Sequence, residues 1–567
     1  MSVTLPVPAQ AVVELRRARR QQRVATIDWV DALYKAYLAA LIGGFAVLGL
    51  SSAVGDGQVG ATTLATVRAD GPAWIGVAAA VVVAVGLRSG SRGGPLAVEG
   101  PDVRHVLMAP VDRGAALRGP ALRQLRFAVF GGAVTGAVAG QFAQRRLPGA
   151  TLAWLGTGAL TGVVIATLGL GAALVASGFR LPRPVASLIG ILLVGWAVGD
   201  GASDRLPASP SSALGHLALW PLRFSAVGLA AVAAAVVLVA AGLWWIAGLR
   251  LEDAERRTGL IGQIRFAATL QDLRTVLVLR RQLAADLPRP RPWVRGRRGP
   301  ARVPSWRRGW RGVMRWPAGR LVRLVLLGAV AGAALRGAWT GTTPLVAAAG
   351  VAMWIAALDA VEPLGQEVDH PGRLETYPRD VGEILSRLLG PAVVVMLAVG
   401  AVAAGTAIAL APDRTWAVVA AITGLGLALA AAAGAAVSVV SGAPDPTGTG
   451  QVAVLTPEIA GTATVLRTAG PPMLAVLGTV PLLVARALDR NGDPALRGAL
   501  IGLVIAGLTA ATGFGWVRVR DDVRRWFREV SEQATGGAAR SGTARRGGAA
   551  SDEEDFDDDV DDEEPAR

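Results

Sequence analysis

The chain has no cysteine. That excludes a disulfide framework, a thiolate-held metal and a cysteine-ligated iron–sulfur cluster. It has three histidines, His105, His216 and His370, too few and too scattered for a histidine-rich metal site. Of its 57 basic residues only one is a lysine, Lys35 in YKAY. The motif G-x-x-x-x-G-K-[ST] is absent, so no phosphate-loop lysine is available to bind and hydrolyse ATP. H-E-x-x-H and G-x-S-x-G are absent too, so the chain is not expected to be an enzyme and no cofactor is implied. Charge is scarce: Asp, Glu, Lys and Arg make up 17% of 567 residues, against about 25% in a soluble domain.

What is present is apolar. The hydrophobic set reaches 52% and the mean hydropathy is +0.45. These residues lie in long blocks such as AALIGGFAVLGL (39–50) and VGLAAVAAAVVLVAAGLWWIAGL (227–249). Nearly uncharged blocks of about 18 residues or more span a bilayer, which excludes an ordinary soluble enzyme. The blocks do not alternate in hydrophobicity, which argues against an outer-membrane barrel. The expected fold is all-α and polytopic, with about twelve transmembrane helices. Their expected bounds are 33–53, 72–88, 127–143, 151–177, 184–199 and 224–248, then 321–339, 343–360, 391–411, 415–440, 471–487 and 496–517.

Arginine fixes the expected orientation. Most clusters fall in 1–32, 89–126, 249–320 and 361–390, and the segment 249–320 carries a net +13 from 18 arginines and five acids. Arg145 and Arg146 are the exception. The positive-inside pattern predicts that both termini are cytoplasmic, in a plasma-membrane protein. Residues 8–27 are expected to form a basic helix on the membrane surface, a solvated basic tail being the other reading; no cleavable signal peptide is expected. The Arg- and Trp-rich stretch 288–320 is expected to meet anionic lipid headgroups rather than nucleic acid. From 518 a linker leads to a disordered tail, with eleven acids between Asp552 and Glu564.

The order of parts repeats. Each expected half, 33–248 and 321–517, has two spans, a long segment (89–126 or 361–390), then four spans. At an offset of 268 residues, 95–117 lies over 363–385 and seven of 23 positions match: Pro95/Pro363, Leu96/Leu364, Glu99/Glu367, Pro110/Pro378, Asp112/Asp380, Gly114/Gly382 and Leu117/Leu385. A six-plus-six duplication is expected. In each copy an amphipathic helix follows, capped by Asp112 or by Asp380, with Glu383 as the capping-box partner of the latter. Arg113, Arg118, Arg123 and Arg126 line the polar side of the first. Connectors of this length point to docking of a soluble partner.

The stretch Asp102 … Ala109-Pro110-Val111-Asp112-Arg113 resembles permease subunits of ABC transporters of the type-2 export class. Many of these carry D-x-x-x-L-x-x-[AS]-P-V-[SD]-R after their second span; Val106 stands at the leucine. The resemblance implies an exporter permease with a fused pair of halves. It implies ATPase subunits supplied in trans, contacted through Asp102, Pro110, Asp112 and Arg113, and through Pro378 and Asp380. The matched Glu99 and Glu367 complete the candidate coupling set. The alternatives are a twelve-span carrier of the major-facilitator type and a non-transport membrane scaffold. Against the carrier stand the near absence of acids in the spans and the lack of its short G-x-x-x-D-R-x-G-R-R loop.

Overall fold

The computed structural model describes residues 29–54, 57–96, 107, 112–203, 206–250, 289–294, 304–411, 413–441 and 469–546, with four isolated positions before 29. Outside them lie nearly all of the expected surface helix 8–27, residues 263–284 of the central loop and the acidic tail 551–567. Apolar runs become helices here because lipid offers the backbone no partners, and a helix satisfies its own donors and acceptors.

The first half holds α1 (Trp29–Ser52), α2 (Ala61–Gly90), α3 (Arg113–Gln144), α4 (Thr151–Gly178), α5 (Arg183–Ala202), a short α6 (Ser212–Ala218) and α7 (Val227–Trp244). The second opens with α8 (Pro304–Val313) and α9 (Ala318–Trp339), then α10 (Leu345–Ala360), α11 (Glu362–Val368), α12 (Pro371–Glu375) and α13 (Val381–Ala409). It ends with α14 (Arg414–Ser441), α15 (Ala469–Leu477), α16 (Val480–Arg490) and α17 (Ala495–Arg546).

Nine of the described helices are long and apolar enough to cross a membrane, and eleven if two bent pairs each count as one span. The protein is thus an all-helical, multi-pass membrane protein. The bent pairs are α10 with α11, at 58°, and α15 with α16, at 45°. They occupy the expected spans 343–360 and 471–487. The remaining expected block, 33–53, falls in α1.

Several helices outrun their apolar blocks. The amphipathic segment after the second block is continuous with the third span: α3 is one 32-residue helix, and α13 one of 29, each with an internal proline, Pro120 and Pro391. Pro120 and Pro391 are the eighth and eleventh residues of their helices, past the orphan donors of the first turn, so each removes one backbone bond to the residue four before it without ending the helix. Helix α17 runs through Arg546, across residues 535–546 that composition marks as a flexible linker. No proline interrupts 495–546, and its Ala, Arg, Glu and Gln favour helix.

Packing follows the same order twice. In the first half α4 touches α2, α3 and α7; in the second α14 touches α10, α13 and α17. The first turn of the third-span helix also meets the end of the last span in each half. A Cβ on Gly114 would lie 3.8 Å from that of Ala247, and one on Gly382 would lie 2.0 Å from the carbonyl oxygen of Arg518. Among the described residues no buried apolar cluster contains residues of both halves, and the halves touch at both ends of α9. At its start Gly319 lies against the Arg88 guanidinium. Past its end Thr342 pairs with Val54 in an antiparallel bridge, and Arg146 donates to the Thr340 carbonyl at 2.7 Å.

Candidate functional site

The starts of α3, α9 and α13 and the ends of α2, α7 and α10 gather at one end of the bundle, the arginine-rich one. There Asp112 does what its position predicts. Its carboxylate accepts from the backbone N–H of Gly114 at 3.0 Å and of Ala115 at 3.2 Å. These are orphan donors of the first turn, so the cap fixes where α3 begins. Asp112 and Arg113 are exposed. The chain leading to them is tethered by Leu107, buried with Leu96, Leu117 and Leu249. Glu99, Asp102 and Pro110 lie outside the described residues.

The second copy is built differently. Pro378 and Asp380 are exposed, and Asp380 stands at the N-cap of α13, but its side chain caps nothing. The expected capping box does not form. Glu383 is engaged by Arg379 at 2.9 Å and by Arg387, one turn to either side. Two charge-assisted bonds outweigh one bond to a neutral backbone donor.

Glu367, aligned with Glu99, is only 2% exposed. It is held by Arg308 at 2.6 Å and Arg373 at 3.0 Å. Arg308 also donates to the Tyr377 hydroxyl at 2.9 Å. Burying a carboxylate is costly unless it is paired, and these two guanidinium groups supply the pairing. Arg308 comes from α8, within the central basic stretch. That helix lies on α13: Trp306 packs on Gly390, and Gly309 sits against Pro391. Part of the stretch expected to face lipid is therefore turned inward onto its own second half.

A second ion cluster lies beside it. Arg320, buried, pairs with Glu362, stands 3.9 Å from Asp359, and donates to the Asp359 carbonyl at 3.1 Å. Arg323 pairs with Asp359 at 2.6 Å. The Arg320 guanidinium also lies over the Trp316 ring, 4.5 Å from its centre. The sequence carried the signal for this cluster: two arginines three apart at the start of α9, and two acids three apart across the end of α10.

At the opposite end three arginines are tied down without forming an ion pair among the described residues. Arg146 reaches the Thr340 carbonyl. Arg486, buried within the expected span 471–487, donates to the Ala338 carbonyl at 2.8 Å and to the Thr343 hydroxyl at 2.9 Å. Both cations thus sit at the C-terminus of α9, where the helix dipole favours positive charge. Arg336, which from its place in the sequence could snorkel outward, lies over the buried Trp416 ring at 5.5 Å.

No family model matches the chain, and no curated protein matches it in sequence.

Proposed function

We propose that this protein is the membrane permease of an ATP-driven exporter of the ABC type-2 class, resident in the plasma membrane with both termini cytoplasmic. Its twelve spans form two six-span copies, and its ATPase subunits are separate chains. The observation that carries the reading is the construction of α3. An exposed, aspartate-capped turn at the arginine-rich end continues unbroken for 32 residues, about 48 Å, through the membrane. A soluble partner pressing on that turn moves a membrane span directly, because one helix, interrupted only by the lost backbone bond at Pro120, joins the two. The α13 helix repeats the design, and the close contact of Gly382 with α17 passes displacement to the last span.

In this reading Asp112 and Arg113, with Pro378 and Asp380, face the ATPase. Glu367 anchors the second copy from below the surface. The separate cores leave the cargo path between the halves. The positive-inside rule places the arginine-rich end in the cytoplasm, where ATP is.

The test is purification of the tagged chain from its native membrane in mild detergent, followed by mass spectrometry of what accompanies it. A P-loop ATPase is expected with the native chain and absent with the Asp112→Arg/Asp380→Arg variant. An ATPase retained by both moves the docking site elsewhere. A chain that purifies from native membrane without one overturns the reading in favour of a carrier or a scaffold.

A further inference from the structure

On α3 a group of arginines has no partner among the described residues. Arg118, Arg123 and Arg126 are exposed on α3, and no ion pair or hydrogen bond engages them among the described residues. On a helix of 3.6 residues per turn they share one half of the circumference, running from Arg118 round to Phe127, with the exposed Leu122, Phe130, Val134 and Phe127. The opposite side, with Leu117, Pro120 and Ala121, is buried.

Along this face the residue type changes within one turn. Phe127 is 78% exposed and Phe130 70%, on a helix long and apolar enough to cross the membrane. Those rings face acyl chains, so the water boundary lies just before Phe127. The three arginines occupy the turns immediately on the polar side of that boundary. Helical side chains lean toward the helix N-terminus, so these guanidinium groups lean out of the apolar layer, to headgroup depth. There the charged partner within reach is a lipid phosphate, whose oxygens match the planar guanidinium fork.

We infer that the α3 face from Arg118 to Phe130 binds an anionic phospholipid: the arginines take the headgroup and Phe127 and Phe130 the adjoining chain. The site belongs to the first half alone. At the offset of 268 residues the three positions are Ser386, Pro391 and Val394. The neighbouring Arg387 is already paired with Glu383, and α8 covers Gly390 and Pro391. The inference does not depend on what the protein transports.

The full chain, in phosphatidylcholine nanodiscs containing a minor share of phosphatidylglycerol, tests it by native mass spectrometry. The native chain retains phosphatidylglycerol above its share. Arg118→Gln/Arg123→Gln/Arg126→Gln loses that excess, at about fivefold in affinity per arginine. The three lysine replacements keep most of it. A matched control at the other end, Arg68→Gln/Arg223→Gln/Arg497→Gln, leaves it unchanged. An excess that survives the first variant, or falls equally in the control, overturns the assignment. Should the glutamine variant fail to fold, a photoactivatable phosphatidylglycerol added to the native chain decides. Cross-links within 118–130 support the site, and cross-links confined to other segments overturn it. Loss of a co-purifying protein from the glutamine variant, with lipid retention unchanged, gives this face to a protein partner instead.

Discussion

The two halves reach the same order of helix contacts by different chemistry. In the first, α3 and α4 meet backbone to backbone: Gly132, Gly136 and Gly140 face Trp154, Gly158 and Gly162, with a Cβ on Gly136 only 2.1 Å from the Gly158 carbonyl oxygen. In the second, α13 and α14 cross at one glycine pair, Gly400 and Gly424, with Ala404 and Ala428 beside it. Among the described residues the first half has three small apolar clusters, and the second has one continuous core from Val313 to Val517. Charge divides in the same way. The second half ties Arg308, Arg320, Arg323, Arg373 and Arg387 to its own acids, whereas Arg113, Arg118, Arg123 and Arg126 of the first lie exposed. The second half is therefore the better self-contained body, and the first the one that leaves polar groups for others.

That contrast can be broken most severely at the glycine crossing. Gly162→Leu places a side chain where even a Cβ would lie 2.0 Å from the Gly132 carbonyl oxygen. Small residues at such a crossing let helices approach closely in lipid. The loss should exceed about 4 kcal/mol, seen as failure to recover monodisperse protein. Gly405→Leu on α13 has nothing within 4 Å and should be tolerated.

The next effect compares two buried tryptophans near the starts of corresponding helices. Trp154 donates to the Pro148 carbonyl at 3.3 Å, and Trp416 to the Ala407 carbonyl at 2.8 Å. Trp416→Ala should cost about 3–5 kcal/mol in thermal unfolding. Trp154→Ala should cost less, because Trp416 also packs against Trp339 and underlies Arg336. Equal losses would remove this distinction between the halves.

A smaller loss is expected at the ion cluster. Arg320→Gln leaves Glu362 without its cation and should lower stability by about 2–3 kcal/mol, below the range for fully buried pairs because Glu362 is partly exposed. Adding Glu362→Gln should restore part of that loss in a double-mutant cycle. The smallest effect separates the two caps. Asp112→Ala should cost about 1 kcal/mol, and Asp380→Ala only a few tenths, since only Asp112 bonds the first turn.

Much of this was legible in the sequence, for identifiable reasons. The apolar blocks mark the cores of the described long helices, since hydrophobic length is a local property. Asp112 read correctly because a cap depends on residues within one turn. Asp380 stands at the expected N-cap, but its box with Glu383 does not form, because Arg379 and Arg387 hold the Glu383 carboxylate, and a motif does not report its competitors. Arg308 looked like a lipid contact until the fold brought Glu367 to it, and nothing near Glu367 in the chain announces its burial. The bends after Ala360 and Leu477 escaped notice because hydropathy registers apolar length, not direction. The continuity of α3 with its amphipathic start was missed because polarity changes at residue 127 while the backbone does not.

The placement of the inter-half contacts has a mechanical consequence. Gly319 meets Arg88 at one end of α9, and Thr340 and Thr342 meet Arg146 and Val54 just past the other. The two points are about 33 Å apart along the 22-residue helix. Where these two contacts hold, they favour relative motion of the halves as a turn about the line through them, which runs along α9. Opening one end alone requires the contact there to break, Arg146–Thr340 at one end or Arg88–Gly319 at the other.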